Sequence, residues 1–362
     1  MKNTIGNSLT LTLFGESHGK AIGAVIDGIA SGIAVDEELV ASQLSRRRPK
    51  DKTSTARREK DEFQILSGVF NGFTTGTPIC ITIPNADTYS PDYDKLQYKM
   101  RPSHADYTAN CRYSGFQDYR GGGHFSGRIT AALVAAGAIV LPALNKKGIY
   151  IGAHIKNIAG VSDCDFNCDR DIRDISKKDF PVLDDSKAEI MREKILAAKA
   201  KGDSVGGVVE TAVIGLPAGV GEPWFDTVEG MLSHAIFSVP AVKGIEFGMG
   251  FGFADKTGSE ANDRMYAENG TVKCYTNNNG GILGGITNGM PVIFRAAIKP
   301  TPTISIEQQT VDISDMSNTV LAARGRHDPC IVHRAAVVIE SVTALVIADM
   351  LSAKYGTDWL AK

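Results

Sequence analysis

Apolar and polar positions alternate over residues 8–14, the period-two pattern of a strand with one buried face. Residues 22–26 supply a second strand, and the glycine-flanked stretch 15–20 is the turn between them. Leu39, Val40 and Leu44 then recur at helical spacing. They predict a helix capped by Asp36 and running to about Arg47, where Pro49 stops it. Residues 79–83 read as a buried strand. The longest apolar run, 129–144, is broken only by Thr130, Gly137 and Pro142. It predicts a buried helix opened by Ser126 and ended near Gly148, and it is shorter than the ~20 residues of a membrane span. Ser186 and Glu189 have capping-box spacing for a helix ending at Gly202. Strands are expected over 208–216 and 291–298, and a last helix over 331–355, before Gly356. Strands and helices alternate, so the fold class is α+β or α/β. No repeat or linker cuts the 362 residues into separate domains.

The charge along this pattern is uneven. A net charge of −2, with 43% apolar and 22% charged residues, is that of a globular protein and gives no general pull toward nucleic acid or a membrane. Residues 46–60 differ, with eight Lys/Arg against two acids. After Pro49 this stretch has no period and reads as a mobile loop. It is a solvated charge run, a nucleic-acid patch or a phosphate-collecting lid; interleaved aromatics are missing, so a lid fits better. Residues 160–185 are acidic and irregular, a surface excursion. The six cysteines show no framework spacing, so reduced thiols are expected. The first 19 residues lack the apolar core of a signal peptide, and a cytoplasmic location is expected.

Chemistry concentrates in RPSHADYTANCRYSGFQDYRGGGHFSGR, residues 101–128. Arg101, Arg112, Arg120 and Arg128, His104 and His124, and Gly121-Gly122-Gly123 precede the apolar helix. Arginine forks suit phosphate and carboxylate, histidine moves protons near neutral pH, and glycines let N–H groups approach an anion. The stretch therefore reads as an anion pocket containing proton-transfer groups. GESHG (15–19) presents Ser17 and His18 at a strand end, either as site residues or as solvated turn residues; it lacks the spacing of a nucleophile elbow. In GRHDPC (325–330), Asp328 and Pro329 fit the cap and first turn of the last helix. His327, Cys330 and His333 fit neither common zinc pattern, and Cys164 with Cys168 fares no better, so no metal is expected.

Together these blocks resemble chorismate synthase. The matching stretches are FGESHG (14–19), RRRP (46–49), RRE (57–59), LSGVFNGFTTGTPI (66–79), RPSHADYT (101–108), DYRGGG (118–123), AAGAI (135–139), PAVKGIEFG (240–248), GGILGGITNG (280–289), KPTPTI (299–304) and GRHDPC (325–330). The resemblance implies a β-α-β sandwich in one large domain, assembled as a homotetramer. It implies a carbon–oxygen lyase that eliminates phosphate from 5-enolpyruvylshikimate 3-phosphate to give chorismate, with reduced FMN. Carried over by position, His18 lies near the leaving phosphate, His104 protonates or stabilises the reduced flavin, and Asp328, paired with the flavin N5 region, assists removal of the C6 proton, with Ser17 and Ser126 in support. Arg48, Arg101, Arg128 and Arg326 hold substrate anions. The flavin contacts His124, Phe125, Ser126, Pro240, Ala241, Gly284, Lys299, Pro300, Thr301, Pro302, Thr303 and Arg326. Arg48 and Lys52 stand where a contact to NADPH is expected if the chain reduces its own flavin; otherwise an external flavin reductase is implied.

Some positions depart from the family's pattern. His124, Phe125 and Ile129 replace residues usual after the triple glycine, Ser103 replaces a glycine, and Met249 an acid. The loop after Pro49 is one residue short, and Lys52 replaces an arginine, keeping charge without the bidentate fork. These departures motivate an alternative, a diverged homologue that binds flavin or nucleotide without catalysis.

Overall fold

The computed structural model describes residues 2–55, 60–86, 97–323 and 327–362. The first sheet comprises Thr4–Ile5 (β1), Thr10–Gly15 (β2), Ala21–Asp27 (β3), Gln64–Ser67 (β4) and Ile79–Pro84 (β5), ordered β1-β2-β3-β5-β4. The second comprises Tyr150–Ile158 (β6), Val161–Ser162 (β7), Gly207–Ile214 (β8), Val242–Phe247 (β9) and Val292–Ile298 (β10), ordered β9-β10-β8-β6-β7. Every pairing within these two sheets is antiparallel. That selects α+β from the two expected classes.

The longer helices are Glu37–Arg47 (α1), Asp106–Tyr113 (α2), Thr130–Lys146 (α3), Asp185–Ala200 (α4), Val228–Ile236 (α5) and Val332–Tyr355 (α6). α3 lies on β3 and β5, α6 lies on β6 and β8, and the two helices pack on each other. The layers run sheet, helices, sheet, a β-α-β sandwich. α3 and α6 are apolar nearly all round, so each must be covered on every side. Gly137 permits their close approach: a Cβ there would sit 2.5 Å from that of Ser341. Counted with the 3-10 turn that opens α3, Gly127–Lys146 reaches 20 residues and α6 reaches 24, both long enough to span a membrane. The length argument for 129–144 is thereby corrected. Burial identifies them as core helices, since 89% and 94% of their most apolar windows lie inside the fold.

Three local expectations change. α4 is capped by Asp184, whose carboxylate accepts from the Ser186 N–H at 2.9 Å, and not by a Ser186–Glu189 box. α6 begins at Val332 without a side-chain cap, because Asp328 is engaged in tertiary bonds. The stretch 160–185 contains β7, a helix at Asp169–Asp174 and a 3-10 turn at Ile175–Lys177. The basic stretch is also anchored where it is described. Lys50 pairs with Asp179 and Asp51 with Arg192. Lys199 Nζ donates to the Lys52 carbonyl at 2.7 Å, and Ser54 Oγ bonds His333 Nε2 at 2.8 Å. Residues 56–59 of the expected lid lie outside the described residues.

Candidate active site

The β2–β3 turn buries Ser17 and His18 beneath the triple glycine. Ser17 Oγ donates to the Gly121 carbonyl at 3.1 Å and contacts His18 Nδ1 at 2.9 Å, which holds the ring by one edge. Gly121, Gly122 and Gly123 all have positive φ, at 58°, 83° and 53°, torsions that L-residues with a Cβ rarely adopt. A Cβ on Gly121 would strike the His18 ring and lie 2.5 Å from Ser17 Oγ. Glycine is therefore required both for the backbone path and for the space. After the triplet, Ser126 caps the 3-10 turn Gly127–Ile129, accepting from the Arg128 N–H at 3.3 Å.

A cavity of about 1090 Å³ opens beside this turn. Its polar wall carries His18, Arg101, His104, His124, Ser126 and Asp328. Its other wall carries Phe125, Pro240, Ala241, Lys299, Thr301, Pro302 and Thr303. His124 bonds the Gly15 carbonyl through Nδ1 at 2.8 Å, and Phe125 meets Tyr113 edge to face. Lys299 Nζ donates to the Ser103 carbonyl at 2.5 Å, tying the two walls together.

A second cavity of about 220 Å³ adjoins it, and Ser126, Pro240 and Asp328 line both. Four arginines (Arg47, Arg48, Arg128, Arg334) and two aspartates (Asp61, Asp328) line the smaller space, a formal surplus of two positive charges suited to a multiply charged anion. The Asp61 side chain is fully buried between Arg47, at 3.0 Å, and Arg128. Burial would raise its pKa, but the two guanidiniums outweigh that and hold the carboxyl below the usual range. Arg128 is further aimed by Nε to Asn85 Oδ1 at 3.1 Å and Nη2 to the Pro84 carbonyl at 3.2 Å. Asp328 accepts from the Thr55 N–H at 2.8 Å and from Arg334 Nη1 at 2.9 and 2.8 Å.

The residues singled out in the sequence distribute unevenly. Arg48 and Arg128 stand in the smaller cavity, whereas Arg101 stands in the larger one beside His104. Ser17 lies behind His18 and lines neither. Lys52, Gly284 and Pro300 also line neither; Gly284 sits in the turn between Ile282–Leu283 and Ile286–Thr287. Arg326 lies outside the described residues. Cys330 is buried, and burial pushes its thiol up to about 12. Arg120 forks onto its neighbour Asp118.

Sequence reasoning missed Arg47, Asp61, Arg334 and Asp106. Asp106 Oδ1 takes His104 Nδ1 at 2.6 Å and Arg101 Nη2 at 2.7 Å; Oδ2 takes Arg101 Nε at 2.7 Å. Burial opposes ionisation, yet the bonds from His104 and Arg101 hold this carboxyl far below its usual range. The signal was present in RPSHAD, where an acid closely follows the histidine and arginine of interest.

Comparison with known proteins covers almost the whole length. The chorismate synthase family model matches residues 9–352. A chorismate synthase of Pyrococcus abyssi is 48% identical over 347 residues, 96% of each chain. One from Dehalococcoides mccartyi is 46% identical over 352 residues, covering 97% of this chain and 96% of the relative. A crystal structure of a chorismate synthase matches with a TM-score of 0.77 at 31% identity, over 98% of this chain and 94% of the other. Likeness this extensive, in sequence and in fold together, places the chain in the chorismate synthase family.

Proposed function

We propose that this chain is a carbon–oxygen lyase that converts 5-enolpyruvylshikimate 3-phosphate to chorismate and phosphate by anti-1,4-elimination with reduced FMN, the last common step toward the aromatic amino acids. The observation that carries this reading is the pair of adjoining cavities, one rich in arginine and one edged by histidines, which share Ser126 and Asp328 at their boundary.

The larger cavity fits a flavin mononucleotide by its donor set. Lys299 and Thr303 offer a cation and a hydroxyl for a phosphate, and the buried Thr301 Oγ1 has no partner among the described residues. Flat apolar groups, Phe125, Pro240 and Pro302, suit a ring system. Reduced FMN, when bound, supplies electron density to a reaction that has no net redox change. His124 and Ser126 hold its edge, and His104 holds a proton for it.

Arg48 and Arg128 in the smaller cavity and Arg101 in the larger one bind the substrate's carboxylates and phosphate, with Arg326 a further contact implied by the family resemblance. Asp328, held between the Thr55 N–H and Arg334, assists removal of the C6 proton. The C6–H electron pair becomes the C1–C6 double bond, the C1–C2 π pair shifts to C2–C3, and the C3–O bond breaks with its pair leaving on the phosphate, to which His18, positioned by Ser17, gives a proton. Ser126 links the two spaces by its hydroxyl.

The assembly is proposed to be a homotetramer. Trp224 and Phe225, adjacent and 86% and 92% exposed, are surface that a partner subunit would cover. Purified chain is expected to release phosphate anaerobically with reduced FMN and not with oxidised FMN; equal rates with both would overturn the cofactor assignment. Bleaching of FMN by NADPH in the pure protein would mean that the chain reduces its own flavin, with Arg48 and Lys52 as contacts. Otherwise an external reductase supplies it.

A further inference from the structure

We infer that Asp106 is the positioning residue for His104, fixing which ring nitrogen carries the resting proton and which one faces the larger cavity. This deepens the role given to His104 above and rests on that reading. The segment reverses at Ser103, whose φ of 58° is left-handed. The His104 N–H closes the turn on the Arg101 carbonyl at 3.1 Å. α2 then begins at Asp106, whose carboxylate comes back over the turn. Besides its three side-chain bonds it accepts the Arg101 N–H at 3.1 Å. One carboxylate thus aims an imidazole and a guanidinium together.

An ionised carboxylate only accepts hydrogen bonds. Beside it, His104 Nδ1 must carry a hydrogen, and in the neutral ring Nε2 is left as the acceptor. Gly122 lies against that edge: a Cβ there would come 3.1 Å from Cε1 and 3.3 Å from Nε2. The absence of a side chain keeps Nε2 open to the cavity. When the ring takes a second proton, Asp106 stabilises the imidazolium and the proton to be given sits on Nε2.

Asp106→Asn separates aim from bulk. Arg101 presents only donors, so it claims the amide oxygen and leaves the NH2 group facing His104. Nδ1 must then accept, and the resting proton moves to Nε2. In the Ser-His-Asp triad of a serine protease the same Asp→Asn inversion lowers turnover by roughly 10⁴-fold while leaving the site's geometry intact.

The test uses the full-length protein labelled with 15N-histidine at mildly alkaline pH, with the His104 signals assigned by their loss in His104→Gln. Wild type is expected to show the Nδ1–H tautomer and Asp106→Asn the Nε2–H tautomer. The variant's kcat is expected to fall at least about a hundredfold, with the substrate KM within about threefold. An Nε2–H tautomer in wild type overturns the inference even if the variant does not fold. An unchanged tautomer in a folded Asp106→Asn overturns it as well. A switched tautomer with unchanged kcat supports the Asp106–His104 coupling and overturns instead the proton-transfer role given to His104.

Discussion

Asp328 receives three hydrogen bonds, one from the Thr55 backbone and two from Arg334, which fix its side chain at the boundary between the cavities. Asp328→Asn removes the group proposed to assist proton removal and keeps the shape. It and His104→Ala are each expected to lower kcat at least about a hundredfold, measured by anaerobic phosphate release; near-normal rates in both would contradict the assigned roles. His333 gives a separate handle on pH. Burial, then Arg334, depresses its pKa from 6.5 to about 4. The folded chain therefore binds fewer protons than the unfolded chain between those values, and stability is intact above about pH 6.5 and erodes as pH falls toward about 4. Between pH 7 and 5 the loss is roughly 2 kcal/mol. His333→Gln is expected to narrow the gap between the melting temperatures at those two pH values, and an unchanged gap would refute this. Residue roles were only partly legible in the chain. Arg46, Arg47 and Arg48 are chemically identical in sequence, but Arg46 and Arg47 stand about 100° apart on α1 and Arg48 follows the helix with extended backbone, so each meets different partners. Arg46 meets the buried Glu340, Arg47 meets Asp61, and Arg48 lines the cavity.

At the scale of elements, the contact between α3 and α6 sets the spacing of the two sheets. Gly137→Val would force a side chain against Ser341. Overpacking of this kind typically costs about 1–3 kcal/mol, and a helix pair in the central layer has little room to yield. A clear fall in melting temperature is expected, and a variant as stable as wild type would show that the helices slide apart freely. Elements with unbroken hydrophobic periods were legible to within a residue or two: β2, β3, β5, α1 and α6. β6 was not, because His154 stands in the middle of it. That imidazole is buried only because Asp163 and Glu210 bond it at 3.0 and 3.1 Å, partners that its own strand does not contain. The misplaced cap at Asp328 has the same cause. Arg334 and Thr55 offered a better set of donors than the end of a helix, and the helix began three residues later without it.

At the scale of the molecule, a net charge of −2 conceals a cavity with a local surplus of positive charge. The antiparallel order of the sheets was equally hidden, since β10 bridges β8 and β9 across long stretches of chain and no local pattern encodes such pairing. What the sequence did expose was the collection of anion-binding and proton-transfer groups, because arginine, histidine and glycine at these positions have few structural uses in common. The most direct test of the proposed chemistry follows both products at once. Under anaerobic conditions, with reduced FMN and 5-enolpyruvylshikimate 3-phosphate, phosphate and the diene absorbance of chorismate are expected to appear in equal amounts over many turnovers. Flavin binding without either product at any flavin concentration, or phosphate released without the diene, would contradict it.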